Sequence, residues 1–377
     1  MTDIHEFPLP TIDIGPDLLR TSVRRNGGRT PSPPYDADAV MHEMERHYGL
    51  GLWMSWEPTE KGSSNDSFFI WTEAGSFVVR RSSRLKTIGA AHFECALIDH
   101  LLSAGYPAPP VVRTRDGGIL VEIDGRIHMV MRRMYGGPYE RADPAHQDGV
   151  AHGLGRYHRI VAYLPTDLDA RQSSGLTGLA ERGHDSFARA VGVVRPLLDS
   201  ERQVQITNDA AYLESEAESV TRQLDGHLSD LTYLITHASY DGSALLLTDN
   251  ELTAVVAYDR AVHDLLDFDL AYALKSFCRG EVTSRRGARI DPGRCQTFIR
   301  AYRTEAPLSD ADIWALPLIM RAQRLVVVVN RCRNLLTRHA VAPRQTKDAV
   351  DIAELVTGEA TRLRRLTENC NDLNDLC

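Results

Sequence analysis

The chain has 377 residues, of which 43% are hydrophobic and 25% charged, a composition typical of a globular protein with two domains or lobes. Its net charge of −8 gives no general basic field, so we expect neither nucleic acid nor a membrane surface as a partner. The six cysteines lack metal-ligand spacing, and the N-terminus lacks a secretory signal, which predicts a cytoplasmic protein with reduced thiols. Lysine occurs at only four positions, so 39 of the 43 basic residues are arginine.

The first third of the chain predicts a small lobe rich in β-structure. Residues 1–36 are rich in Pro, Gly and Arg and predict an extended or partly disordered arm. In the N-lobe, residues 37–135, apolar strand-like runs are separated by polar turns, and Ala90–Ser103 has one apolar helical face. Asp124-Gly125 lies between two alternating apolar runs, which is typical of a β-hairpin.

The remainder of the chain predicts a larger helical lobe. The motif Tyr135-Gly136-Gly137-Pro138 interrupts the strand pattern and predicts a hinge. We assign residues 136–366 to the C-lobe and residues 367–377 to an acidic tail. Helical spacing or cap signals predict helices at 143–161, 209–228, 261–277, 292–303, 309–336 and 347–366. The stretch from Pro165 to Ala180 predicts a loop.

The order of these elements resembles the group of aminoglycoside phosphotransferases, type II homoserine kinases and choline kinases, over roughly residues 50–340. The segments that carry the resemblance are GSSNDSFFIWTEAGSFVVR, FECALIDHLLSAGYPAPPVV, LGRYHRIV and AYRTEAPLSDADIWALP. The resemblance implies an α+β fold, bilobal and protein-kinase-like, with ATP and Mg²⁺ as cofactors. It also implies that a ligand binds in the cleft between the lobes.

The resemblance assigns the nucleotide-binding residues of the N-lobe. Its basic residue on the third strand, which pairs with the nucleotide phosphates, falls on Arg80, and its helix glutamate falls on Glu94. Ser64 and Asn65 fall in the loop that covers the nucleotide. We therefore predict that these four residues bind the cofactor. An ordinary solvated strand charge is the alternative for Arg80, and an exposed helix residue is the alternative for Glu94.

The catalytic loop departs from the family pattern HGDxxxxN. The pattern falls on His237 and Ala238, with Ser239 at the position of the catalytic base and Ala244 at the first metal ligand. Asp241 is the nearest displaced carboxylate, and His237 is expected mainly to support the loop by hydrogen bonding. We name Ser239, as a degenerate base position, together with His237 and Asp241 as the candidate catalytic residues.

The later metal-binding turn departs from its pattern as well. The family's DFD falls on Ala257, Tyr258 and Asp259, which leaves Asp259 as the magnesium candidate, with a plain turn aspartate as its alternative. Asp269, in the DLA segment, is expected to brace the catalytic loop.

The missing acidic and amide side chains predict a pseudokinase, because removing one such carboxylate alone commonly costs several orders of magnitude in rate. Such a protein would bind a partner protein, peptide or metabolite in the old cleft, with a role in natural-product biosynthesis. Two alternatives stay open. One is an active kinase of a small alcohol or a peptide Ser/Thr that uses displaced carboxylates, and the other is a cleft adapted to a non-kinase reaction.

Overall fold

The computed structural model describes residues 36–59, 65–141, 143–164, 175–280, 290–341 and 345–371. The strands are β1 Trp53–Pro58, β2 Asp66–Thr72, β3 Gly75–Arg81, β4 Val121–Ile123, β5 Arg126–Arg132, β6 Tyr233–Thr236, β7 Leu245–Thr248, β8 Glu251–Val255 and β9 Val262–Leu265. The helices are α1 Ala37–His47, α2 Ile88–Ser103, α3 Pro144–Val161, α4 Leu179–Val194, α5 Ser200–Leu224, α6 Leu266–Phe277, α7 Pro292–Arg303, α8 Asp310–Val341 and α9 Gln345–Asn371.

The N-lobe is an antiparallel sheet in the order β1-β2-β3-β5-β4. Alternation along β2 places Phe68 and Ile70 on one face, where they pack with α1. Met129 of β5 lies on the other face, in a small core with residues of α2. The predicted hairpin at Asp124-Gly125 is confirmed: both residues have positive φ values, 52° and 66°, as a tight turn between twisted strands requires.

The C-lobe is helical apart from two small sheets that carry the loops of interest. β6 pairs with β9, and β7 pairs with β8. The helix predicted from residue 261 begins only at Leu266, because Val262–Leu265 pairs with β6 instead. The helix predicted at 209–228 starts earlier, at Ser200, where Asp199 accepts a hydrogen bond from the backbone of Arg202. Helix α4 was not predicted.

The predicted hinge contacts the β7–β8 hairpin. Gly137 exchanges backbone hydrogen bonds with Leu247. At Gly136, φ is 155°, and a Cβ atom would lie 2.7 Å from Thr253 Oγ1 and 2.8 Å from Leu246 Cβ. Only glycine fits both this conformation and this close approach, so the hinge is held against the C-lobe at a defined point.

The change from sheet to helices falls between Arg132 and Pro144, and the exact lobe boundaries stay predictions. The predicted arm lies outside the described residues except for Asp36, and the tail lies outside them from residue 372 onward. Among the helices in the described ranges, none combines the length and apolar character that crossing a membrane requires.

Candidate active site

A buried carboxylate in the N-lobe is held between two cations. Arg80 lies on β3, and its Nη2 donates to Glu94 Oε1 on α2 at 2.5 Å. Lys86, in the loop between these elements, donates from Nζ to Glu94 Oε2 at 3.0 Å. We call Arg80, Lys86 and Glu94 the Glu94 cluster. Burial lowers the pKa of the Arg80 guanidinium, but Glu94 and Asp259 raise it more, so its net pKa is raised.

The Glu94 cluster is joined to the C-lobe at Asp259. Lys86 Nζ lies 3.3 Å from the backbone carbonyl of Asp259, and Asn65 Nδ2 donates to Asp259 Oδ2 at 2.9 Å. Asn65 Oδ1 in turn accepts from the backbone of Ser83. Asn65 therefore ties the start of β2 to the turn after β8. Ser64, its predicted neighbour in nucleotide binding, lies outside the described residues.

The catalytic loop, residues 237–244, is held by one buried aspartate. Asp269 near the start of α6 accepts hydrogen bonds from the backbone N–H of His237 at 2.5 Å and of Ala238 at 2.8 Å. Its Oδ2 also lies 3.2 Å from His158 Nε2 on α3. The bracing role predicted for Asp269 is confirmed. Ala238 has a φ of 59°, a left-handed conformation that explains why the family pattern has glycine there.

His237 and Ser239 connect the catalytic loop to the turn that follows β8. His237 is fully buried and its Nε2 donates to the Val256 carbonyl at 2.9 Å. Burial lowers the pKa of its imidazole, so the ring is neutral and its Nδ1 is an acceptor. Ser239 Oγ lies 3.2 Å from that Nδ1 and 3.1 Å from the Ala257 carbonyl. Both side chains thus hold the loop in place, as expected for His237.

Asp241 is the carboxylate of the catalytic loop itself. Its Oδ2 accepts from Tyr272 Oη at 2.8 Å, and its Oδ1 accepts from the backbone and hydroxyl of Ser243. Burial, with Asp241 next in effect, raises the pKa of Tyr272, so the phenol stays a donor. Asp241 and Asp259 both lie close enough to His237 to act on the pKa of its imidazole.

The surroundings of Asp259 do not fit the family's paired magnesium ligands. The first ligand position is Ala244, and the first position of the later turn is Ala257. Within the part of the chain that the structure describes, no three His, Cys, Asp or Glu side chains converge on a metal-sized site. A Lys86 ammonium at the Asp259 carbonyl also repels a divalent cation. Metal binding by Asp259 alone stays a prediction.

Lys86 is the site residue that sequence reasoning missed. The family pattern points to the strand cation, Arg80, and contains no signal for a second cation in the loop after it. The rarity of lysine in this arginine-rich chain was the available hint, but four scattered positions do not identify one of them.

Comparison with known proteins decides the family. The model of the phosphotransferase enzyme family matches residues 55–308. The chain belongs to this family. Within it, the chain is 23% identical to a homoserine kinase of a Bradyrhizobium species (strain BTAi1) over 304 residues, 81% of this chain and 86% of that protein. It is 28% identical to the homoserine kinase of Polaromonas naphthalenivorans over 277 residues, 74% of this chain and 81% of that protein.

Solved structures confirm the fold. An amicoumacin kinase in complex with AMP-PNP, Ca²⁺ and Ami has a TM-score of 0.62 at 13% identity, covering 87% of this chain and 94% of its own. An aminoglycoside phosphotransferase of Alicyclobacillus acidocaldarius has a TM-score of 0.63 at 13% identity, covering 92% and 98%. The α+β bilobal phosphotransferase fold expected from the sequence is therefore correct.

The comparisons contradict the interpretation of the chain as a non-catalytic pseudokinase. Relatives matched over 74% to 81% of the chain carry the name of an enzyme. The interpretation rested on Ser239, Ala244 and Ala257 alone. It assumed that a carboxylate can serve as base or metal ligand only at the positions of the family pattern. Asp241 and Asp259 lie beside these positions in space, so the pattern alone was insufficient and the interpretation was wrong.

Proposed function

We propose that this chain is an ATP-dependent kinase that phosphorylates the hydroxyl group of a small alcohol, using carboxylates displaced from the family's usual positions. The observation that carries the proposal is the match to homoserine kinases over as much as 81% of the chain. Homoserine is an amino acid with a primary hydroxyl group, so an acceptor of that class, a small amino alcohol or hydroxy amino acid, is the first choice. A role in natural-product biosynthesis stays a prediction.

The ion pair in the N-lobe supports nucleotide binding. Arg80 and Glu94 occupy the strand and helix positions at which the family pairs a cation with a glutamate, and they are in contact at 2.5 Å. A fixed cation at this place neutralises negative charge on the nucleotide phosphates, which is the main contribution that a protein makes to phosphoryl transfer.

Asp241 is the proposed general base. Ser239, at the family's base position, has a hydroxyl that is not basic near neutral pH and that contacts the Ala257 carbonyl. Asp241 lies two residues further in the same loop, is half-buried, and is oriented by Tyr272. A carboxylate that is fixed by hydrogen bonds and within reach of an acceptor hydroxyl has the properties that general base catalysis needs.

The proposed transfer step uses ATP, the acceptor hydroxyl and side chains of this chain. The acceptor hydroxyl oxygen attacks the γ-phosphorus of ATP, and a new O–P bond forms. The bond between the γ-phosphorus and the bridging oxygen of the β-phosphate breaks, and ADP leaves with that electron pair. The hydroxyl proton passes to the Asp241 carboxylate. Arg80 and Lys86 offset the negative charge that ADP carries away.

The test is a search for the phosphorylated product. ATP is incubated with the purified chain and one acceptor at a time: L-homoserine, L-serine, ethanolamine, choline or a Ser/Thr peptide, each with Mg²⁺ and with EDTA. Phosphorus NMR and mass spectrometry follow ADP and the new phosphate ester. We expect one small alcohol to be phosphorylated faster than ATP is hydrolysed without acceptor. Absence of any phosphate ester with all five acceptors contradicts the proposal.

A further inference from the structure

Lys86 lies where the two lobes meet. Its Nζ is 3.0 Å from Glu94 Oε2 on the N-lobe side and 3.3 Å from the Asp259 carbonyl on the C-lobe side. Its side chain is only 9% exposed. An ammonium group has three N–H donors, and these contacts use two of them, which leaves one donor for a further acceptor at the lobe boundary.

The Glu94 cluster contains two cations and one carboxylate, and the Asp259 carboxylate of the C-lobe also acts on Arg80 from outside the cluster. Glu94 is 1% exposed and is the single anion between the cations Arg80 and Lys86. Among the contacts of the described residues, the buried Nε of Arg80 has no hydrogen-bond partner. A buried guanidinium N–H without an acceptor, beside an ammonium with one donor to spare, has room for a further acceptor such as an anion, because buried polar groups are otherwise paired.

Three polar positions of the family pattern hold neutral residues in this chain. Ser239, Ala244 and Ala257 bear no charge, whereas Asp259 keeps a carboxylate, which accepts from Asn65. In a site with the full pattern, carboxylates and phosphates repel each other, by about 4 kcal/mol for two unit charges 4 Å apart near a protein surface, and a divalent cation bridges them. This site lacks the carboxylate pair that makes the bridging cation necessary.

We propose that Lys86, together with Arg80, binds the nucleotide phosphates directly, so that nucleotide binding does not require a divalent cation. This inference rests on the proposed function for the identity of the ligand. It adds Lys86 as a phosphate-binding residue that the family pattern does not contain. It also adds nucleotide binding that does not depend on a divalent cation.

The experiment is calorimetric titration of the full chain with ATP and with ADP, once with excess Mg²⁺ and once with EDTA. We expect dissociation constants that agree within about threefold between the two buffers. Lys86→Met is expected to weaken binding at least tenfold in both buffers, whereas Lys86→Arg, which keeps a positively charged donor for the phosphates, is expected to weaken binding less than Lys86→Met does. Arg84→Gln, an exposed residue of the same loop, is the matched control and leaves binding unchanged.

Thermal unfolding of each variant without nucleotide separates a folding defect from a binding defect, and the comparison with Lys86→Arg remains informative if Lys86→Met is unstable. Binding that disappears in EDTA overturns the inference, as does a Lys86→Met variant that folds and binds ATP normally, or a wild type that binds no nucleotide. Metal-dependent binding with formation of a phosphate ester overturns the inference and leaves the proposed function standing. Binding in EDTA without any phosphate ester supports the inference and overturns the proposed function.

Discussion

The Glu94 cluster and the catalytic loop differ in what they share with the family pattern. In the Glu94 cluster the charged side chains are in the expected places and one cation, Lys86, is added. In the catalytic loop the backbone is held by Asp269, while the side chain at the base position, Ser239, is neutral. The backbone contacts to Asp269 do not depend on the residue at position 239, so the shape of the loop and its chemistry can vary separately.

The largest effect is expected at the proposed base. Asp241→Asn keeps the shape of the side chain but removes its ability to accept a proton, so kcat is expected to fall by about 10²- to 10⁴-fold. Nucleotide affinity changes little because Asp241 does not contact the Glu94 cluster. The measurement is steady-state kinetics, with the exposed turn substitution Asp249→Asn as control. A kcat within threefold of wild type for Asp241→Asn removes this residue from the mechanism.

The framework of the loop is tested at Asp269. Asp269→Ala leaves the backbone N–H groups of His237 and Ala238 and the imidazole of His158 without their buried acceptor. The free energy of unfolding is expected to fall by about 3–5 kcal/mol, measured by urea denaturation. Asp185→Ala, whose side chain is 61% exposed, should change stability by less than about 0.5 kcal/mol. Equal effects of the two substitutions would show that Asp269 does not hold the loop.

Each lobe contains a buried histidine with a lowered pKa, His128 in the N-lobe and His237 in the C-lobe, and His128 gives a pH test. Burial lowers the pKa of His128 from 6.5 to about 4, so the unfolded chain takes up a proton first as the pH falls. The free energy of unfolding should therefore decrease as the pH falls from 6.5 to 4, with His128 contributing about 2–3 kcal/mol of that loss. His128→Gln should reduce the decrease, as measured by denaturation at pH 7 and pH 4.5. An unchanged pH dependence contradicts this assignment.

A smaller effect is expected when the family's ligands are placed in the site. In the double variant Ala244→Asn with Ala257→Asp, Mg²⁺ should strengthen ATP binding by about tenfold over EDTA, because an amide and a carboxylate then face the phosphates. Position 257 has a φ of 68°, which aspartate tolerates. Each single variant should show less metal dependence. If Mg²⁺ changes the ATP affinity of the double variant no more than that of the wild type, these positions do not line the phosphate site.

Local patterns explain which parts were predictable from the sequence. The Asp124-Gly125 hairpin depends on neighbouring residues and is present. The helix predicted from residue 143 is present as well, and the Asp143 side chain caps it by accepting from the backbone N–H of Ala145. The pairing of Arg80 with Glu94 follows from motif order. Strand β9 was read as helix because its four residues precede a helical pattern without a break, and only pairing with β6 makes them a strand. The contact of Lys86 with Asp259 joins residues 173 positions apart, a distance over which periodicity carries no information.

The central claim, that phosphates bind at the Glu94 cluster and the acceptor hydroxyl binds at Asp241, is tested most directly by a crystal structure with ADP and the acceptor found by turnover. We predict phosphate oxygens within about 3 Å of Lys86 Nζ and the acceptor hydroxyl within about 3 Å of the Asp241 carboxylate. A nucleotide bound away from Lys86, or a hydroxyl beyond hydrogen-bond reach of Asp241, would contradict the account.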